Sequence, residues 1–87
     1  MPTVDLIETA RAIRQSYKAK AEKDPARVIG QEAADAFNEL LDESKERCPK
    51  SRFIEKMRPV TPGRTQWAGL LAKVSVLEDS LRAEKST

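Results

Sequence analysis

Residues 24–48 read DPARVIGQEAADAFNELLDESKERC, and this stretch decides the fold. It predicts one long amphipathic helix. Its apolar face is Ile29, Ala33, Ala36, Phe37, Leu40 and Leu41. Its acidic face is Glu32, Asp35, Glu39, Asp42 and Glu46, at steps of three, four, three and four. Such steps keep side chains on one side of a helix with 3.6 residues per turn. Asp24 suits an N-cap, and Pro25 suits the first helical position, where the missing amide has no partner anyway. Pro49 disfavours helical geometry at Cys48 and ends the element there. Gly30 falls inside this helix at a cost of about 1 kcal/mol relative to alanine. It is expected to admit a close neighbour beside Tyr17, and Gly69 another.

Working outward, residues 3–23 predict a first helix. Thr3 can cap it, Asp5 suits its positive end, and Lys20 and Lys23 suit its carbonyl end. Leu6, Ala10, Ile13 and Tyr17 recur at helical spacing, with Ile7 alongside. A connection of about two residues makes the first two helices antiparallel neighbours. Folding back there sets Arg14 near Ala34 and Asp35, and Arg11 near Asn38. The stripe Arg11, Arg14, Lys18 is then expected to meet part of the acidic stripe, in exposed pairs worth about 0–1 kcal/mol each. The acidic stripe runs for roughly 21 Å and extends beyond those three cations.

Beyond Pro49, Ser51 can cap a short helix over 52–58, with Phe53, Ile54 and Met57 as its apolar face and Pro59 as its stop. Thr61-Pro62-Gly63-Arg64 places proline and glycine where a type II turn wants them. Thr65 can cap a last helix over 66–83, with Thr61 as the competing cap. In that helix Trp67, Leu70, Val74, Leu77 and Leu81 step three, four, three, four, the seam of a bundle or coiled-coil helix. Lys85, Ser86 and Thr87 are expected to fray. The reading is an all-α fold, a small three- to four-helix bundle in one domain over 1–87. An antiparallel hairpin (3–23 and 25–48), a short helix (52–58) and a long C-terminal helix (66–83) build it.

Composition bounds the function. The chain has 87 residues, 34% charged and 39% hydrophobic, with no histidine and one cysteine. Without histidine, imidazole triads and the commonest metal ligand are missing. One cysteine makes neither an internal disulfide nor an ordinary structural zinc site. Gly30, Gly63 and Gly69 are too dispersed for a phosphate loop. Glu32, Asp35 and Glu39 share a face but look outward, so no metal and no cofactor are expected. No apolar run approaches the roughly 20 residues of a membrane span. The acidic start lacks the basic-then-apolar order of a signal peptide. A reducing, cytoplasmic setting and no membrane partner follow as expectations.

Net charge is only +2, yet it is segregated. Residues 28–44 carry five acids and no base, whereas residues 45–64 carry seven bases against Glu46 and Glu55. Three surfaces are therefore candidates. One is the acidic face already named. The second is a basic face of Lys45, Arg47, Lys50, Arg52, Lys56, Arg58 and Arg64, which could neutralise phosphates. Phe53, the aromatic of that segment, is expected to pack inward, which weakens a nucleic-acid reading. The third is the Trp67 seam, either core or a dimer contact. The leading expectation is a non-enzymatic protein–protein interaction module, a small adaptor or inhibitor. The alternatives are a nucleic-acid-binding regulator using 45–64 and a homo-oligomeric structural protein.

Overall fold

The second helix starts at Gln31, six residues after the proline expected to open it. In this computed structural model, which describes residues 3–86 and the side chains of residues 5–84, four helices follow one another. They are α1 (Thr3–Lys23), α2 (Gln31–Arg47), α3 (Arg52–Lys56) and α4 (Trp67–Ser86). The all-α bundle expected from periodicity is the architecture observed. α4 continues to Ser86 rather than ending at 83. The proposed Thr3 side-chain cap and the fraying of Thr87 lie outside the described residues.

The shift from Pro25 to Gln31 has a backbone cause. The Asp24 amide donates to the Lys20 carbonyl at 3.0 Å and closes α1. The Arg27 amide donates to the Asp24 carbonyl at 3.2 Å, a turn with Pro25 in its second position. The chain then runs extended. The Ile29 amide donates to the Thr65 carbonyl at 2.8 Å, and the Gly63 amide donates to the Ile29 carbonyl at 3.0 Å. The Trp67 amide donates to the Arg27 carbonyl at 3.0 Å, and the Ala68 amide to the Pro25 carbonyl at 3.2 Å. Trp67 and Ala68 stand in the first turn of α4, where amides have no intrahelical acceptor. The connector thus caps α4 with backbone carbonyls. A helix begun at Pro25 would turn the Pro25 and Arg27 carbonyls inward to its own amides. Val28, Ile29 and Gly30 are also weak helix formers.

This pairing replaces two expected caps. Thr65 contributes its carbonyl, and neither its hydroxyl nor that of Thr61 makes a hydrogen bond among the described residues. Gly30 is the extended N-cap of α2, at φ −89° and ψ 179°. A Cβ at Gly30 or at Gly69 would meet nothing within 4 Å, so neither glycine marks the expected close approach. The Thr61–Arg64 turn forms as read: the Arg64 amide donates to the Thr61 carbonyl at 3.2 Å, with Gly63 at φ 79°. That dihedral disfavours any residue with a Cβ.

α1 packs most extensively on α4, and less on α2. Leu70, Val74, Leu77 and Leu81 are fully buried, with Trp67 beside them, so the seam lies inside the bundle. Tyr17 joins three helices. Its ring lies 5.3 Å from the Trp67 ring, tilted by 56°, and its hydroxyl donates to the Ala33 carbonyl at 3.0 Å. α2 contributes Ala34, Phe37, Leu40 and Leu41 to the same core. Between α3 and α4 the chain runs back along α2. Asn38 holds it there: its Nδ2 donates to the Val60 carbonyl at 3.0 Å, and the Val60 amide donates to its Oδ1 at 2.8 Å.

Candidate interaction surfaces

α3 is short, and its cap is the one expected. The Ser51 hydroxyl accepts from the Ile54 amide at 3.4 Å. Five residues offer one inward position, and Ile54 takes it with no exposed surface. Met57, three residues on, is half-buried. Phe53 lies about 100° around the helix from Ile54 and points to solvent, 74% exposed. The expected inward packing of Phe53 is thereby overturned, because α3 turns its Ile54 side to the core and that rotation carries the neighbouring Phe53 outward. It is the one strongly exposed aromatic among the described residues.

Cations surround this aromatic in sequence. Lys50, Arg52, Lys56 and Arg58 are exposed, as is Arg47, while Lys45 is half-buried. Arg64 is not part of the group. It sits on the Gly63 turn, which pairs with Ile29 at the start of α2, whereas α3 follows the end of α2. Six of the seven predicted basic residues therefore belong to one stretch, and the seventh is carried to the far end by the return segment.

All five acidic residues, Glu32, Asp35, Glu39, Asp42 and Glu46, are exposed. Gln31 Nε2 donates to Asp35 Oδ1 at 2.7 Å. Among the described residues none of the five is ion-paired, so the expected pairing with Arg11, Arg14 and Lys18 does not form. Arg14 turns to α4 instead. Its Nε lies 3.0 Å from Glu78 Oε1, and Arg82 Nη2 lies 2.8 Å from Glu78 Oε2. Asn38, expected opposite Arg11, faces Val60.

Glu78 was legible in part. It stands four residues after Val74 and three before Leu81, both fully buried, so helical spacing alone puts it on an apolar face. Its side chain is 2% exposed, and its Oε1 accepts no hydrogen bond. The attraction to Arg14 there is Coulombic. Both arginines keep part of their surface in water, at 37% and 50% exposure, which moderates their desolvation.

Where α1 and α2 diverge, an open cleft of about 580 Å³ remains. Ile13, Tyr17, Ala33, Ala36 and Trp67 form its apolar lining, and Glu32 and Lys20 add charges. The Lys20 ammonium lies 5.4 Å from the Trp67 ring centre, a cation–π contact. Burial raises the Tyr17 hydroxyl above its ordinary pKa. Nothing in the sequence announced this cleft. Ala12, Ser16, Ala33 and Ala36 line it with short side chains.

Cys48 is buried at the end of α2. Burial, and then the charge of Glu84, push its thiol above the ordinary value. Both effects disfavour the reactive thiolate. Among the described residues no cluster of three potential metal ligands occurs, and no helix is long and apolar enough to cross a membrane. In comparisons with known proteins, no family model, no curated protein and no solved structure matches this chain.

Proposed function

We propose that this protein is a non-enzymatic protein–protein interaction module, a small adaptor or inhibitor of the reducing cytoplasm, that docks through the α3 ridge. One observation carries the reading: Phe53 is 74% exposed on a capped helix, with Lys50, Arg52 and Lys56 around it in sequence. Leaving a benzyl group in water costs stability that burying it would recover, about 1.5–3 kcal/mol. Aromatic side chains on ordered elements are enriched among residues that dominate interface energy. The cations suit a partner that carries acidic groups around an apolar recess, and they speed encounter with it.

The test is capture of partners from host lysate by the native chain and by Phe53→Ser, with and without nuclease. Retention of a protein partner by the native chain alone, in the presence of nuclease, is expected. Loss of all partners after nuclease, or equal capture by Phe53→Ser, would defeat the reading.

The same exposed ring favours one second reading, a single-stranded nucleic acid. There Phe53 stacks on a base while Arg52 and Lys56 meet phosphates. That reading requires a gel shift that weakens steeply with salt. An unchanged shift in Arg52→Glu with Lys56→Glu would eliminate it.

A further inference from the structure

We propose that the partner met by the α3 ridge includes a second copy of this chain, with Phe53 of one molecule seated in the α1–α2 cleft of the next. The inference rests on the reading of α3 as a docking surface and names what the ridge fits.

Two complementary features stand on one molecule. One is an exposed aromatic knob, Phe53. The other is an open, largely apolar recess. They cannot meet within one chain: no residue of α3 lines the cleft, which is bounded by α1, α2, Gly30 and Trp67. The cleft floor also suits a benzyl group. Its one phenol, Tyr17, already donates to the Ala33 carbonyl, so an apolar guest strands no donor there.

The rims agree in charge. Glu32 lines the cleft, as does Ala36. Glu39 and Glu43 continue that edge of α2, because residues 32, 36, 39 and 43 step four, three and four along one side of a helix. Glu32 and Glu39 are exposed, and neither is ion-paired among the described residues. On the knob side, Lys50, Arg52 and Lys56 are exposed. The one cation of the cleft, Lys20, is held over the Trp67 ring. An acid-edged recess thus faces a base-edged knob, which fixes orientation and disfavours partners that bring like charge to either rim. The seam residues of α4 are buried, so self-association has to use a surface other than the one the heptad spacing suggested.

Knob and cleft are different surfaces, so the contact is heterologous. Each molecule offers one of each, and the assembly grows as a ring or an open chain rather than stopping at a dimer.

Sedimentation equilibrium of the full chain tests this across a wide concentration range at low and high salt. The native mass is expected to rise with concentration past a dimer, and less so at high salt. Phe53→Ser removes the knob and Ala12→Trp fills the cleft at an exposed position. Each is expected to weaken self-association by about tenfold or more. Glu32→Lys with Glu39→Lys should do the same without altering the cleft floor. An equimolar mixture of Phe53→Ser and Ala12→Trp should form a 1:1 dimer and nothing larger, since only one intact knob and one intact cleft remain. A monomeric native mass throughout, assembly of Phe53→Ser at native strength, or a monomeric mixture of two folded variants would overturn the proposal. The ridge reading is judged separately. If Phe53→Ser still loses its captured partners while the native chain stays monomeric, the ridge docks to other proteins and not to its own copy.

Discussion

α1 has two neighbours and treats them differently. Against α4 it lies on a continuous apolar surface, Leu70, Val74, Leu77 and Leu81, with a buried carboxylate clasped by Arg14 and Arg82. Against α2 it leaves a cleft, crossed by the hydrogen bond from Tyr17 to Ala33. Both partners are long and amphipathic, yet α1 meets α4 over more of its length than it meets α2. Leucines lie buried on the α4 side, while the short side chains of Ala12, Ser16, Ala33 and Ala36 line the opening on the α2 side. The filled interface supports the fold, and the unfilled one leaves an open cleft.

The comparison breaks most visibly at Leu77. Leu77→Ala is expected to cost about 2–5 kcal/mol in urea unfolding, through lost burial and the void it leaves. On the other side, Ala12→Ser should stay within about 0.5 kcal/mol, because that position is exposed at the mouth of an open cleft. Equal costs at the two positions would erase the distinction.

Arg14 sharpens the α4 side. Arg14→Leu leaves Glu78 buried with less compensation and should destabilise the fold by roughly 1–3 kcal/mol. Adding Glu78→Leu should recover part of that loss, since the stranded charge is then gone. A double variant no better than Arg14→Leu would mean that the triad contributes by packing rather than by charge.

Tyr17 sharpens the α2 side with a smaller effect. Tyr17→Phe removes the bond to Ala33 and should cost about 0.5–1.5 kcal/mol. It should also flatten the alkaline end of the stability profile. Burial raises the folded pKa of Tyr17 above its ordinary 10.0. Its contribution is therefore complete below pH 10.0 and is lost as pH rises from there through the folded value, because the unfolded chain gives up the proton first. Thermal melts of both chains from neutral to alkaline pH measure this. A parallel decline in native and Tyr17→Phe chains would assign the alkaline loss to other groups. Cys48→Ala gives the smallest expected change of this kind: its raised thiol acts in the same direction, beginning at its ordinary value of 9.0.

Much of the fold was legible because its signals are local. Ser51 caps α3, Gly63 takes its positive φ, and the three-four steps from Trp67 to Leu81 mark the buried side of α4. The candidate surfaces were legible as charge and not as shape. All five carboxylates of the acidic stripe are exposed, as spacing implies, yet spacing could not say whether Arg14 would reach them or Glu78. Phe53 was misread because Phe53, Ile54 and Met57 look like one face of a helix over 52–58, whereas α3 stops at Lys56 and buries only Ile54 of its two apolar residues.

By itself, then, the sequence determined four helical segments, their order and the apolar faces of the three long helices, since periodicity, caps and prolines act within a few residues of the chain. The tertiary structure decided where α2 begins, which acid Arg14 meets and where the molecule stays open. The first two turn on groups more than 30 positions apart, the Pro25 and Arg27 carbonyls beside the amides of α4 and Arg14 beside Glu78, and the third on how α1 and α2 meet, with Ala12 and Ser16 across from Ala33 and Ala36. The local cap at Asp24-Pro25 gives way to two hydrogen bonds to the first amides of α4, one of them at the buried Trp67, where an unpaired amide would cost about 1–3 kcal/mol.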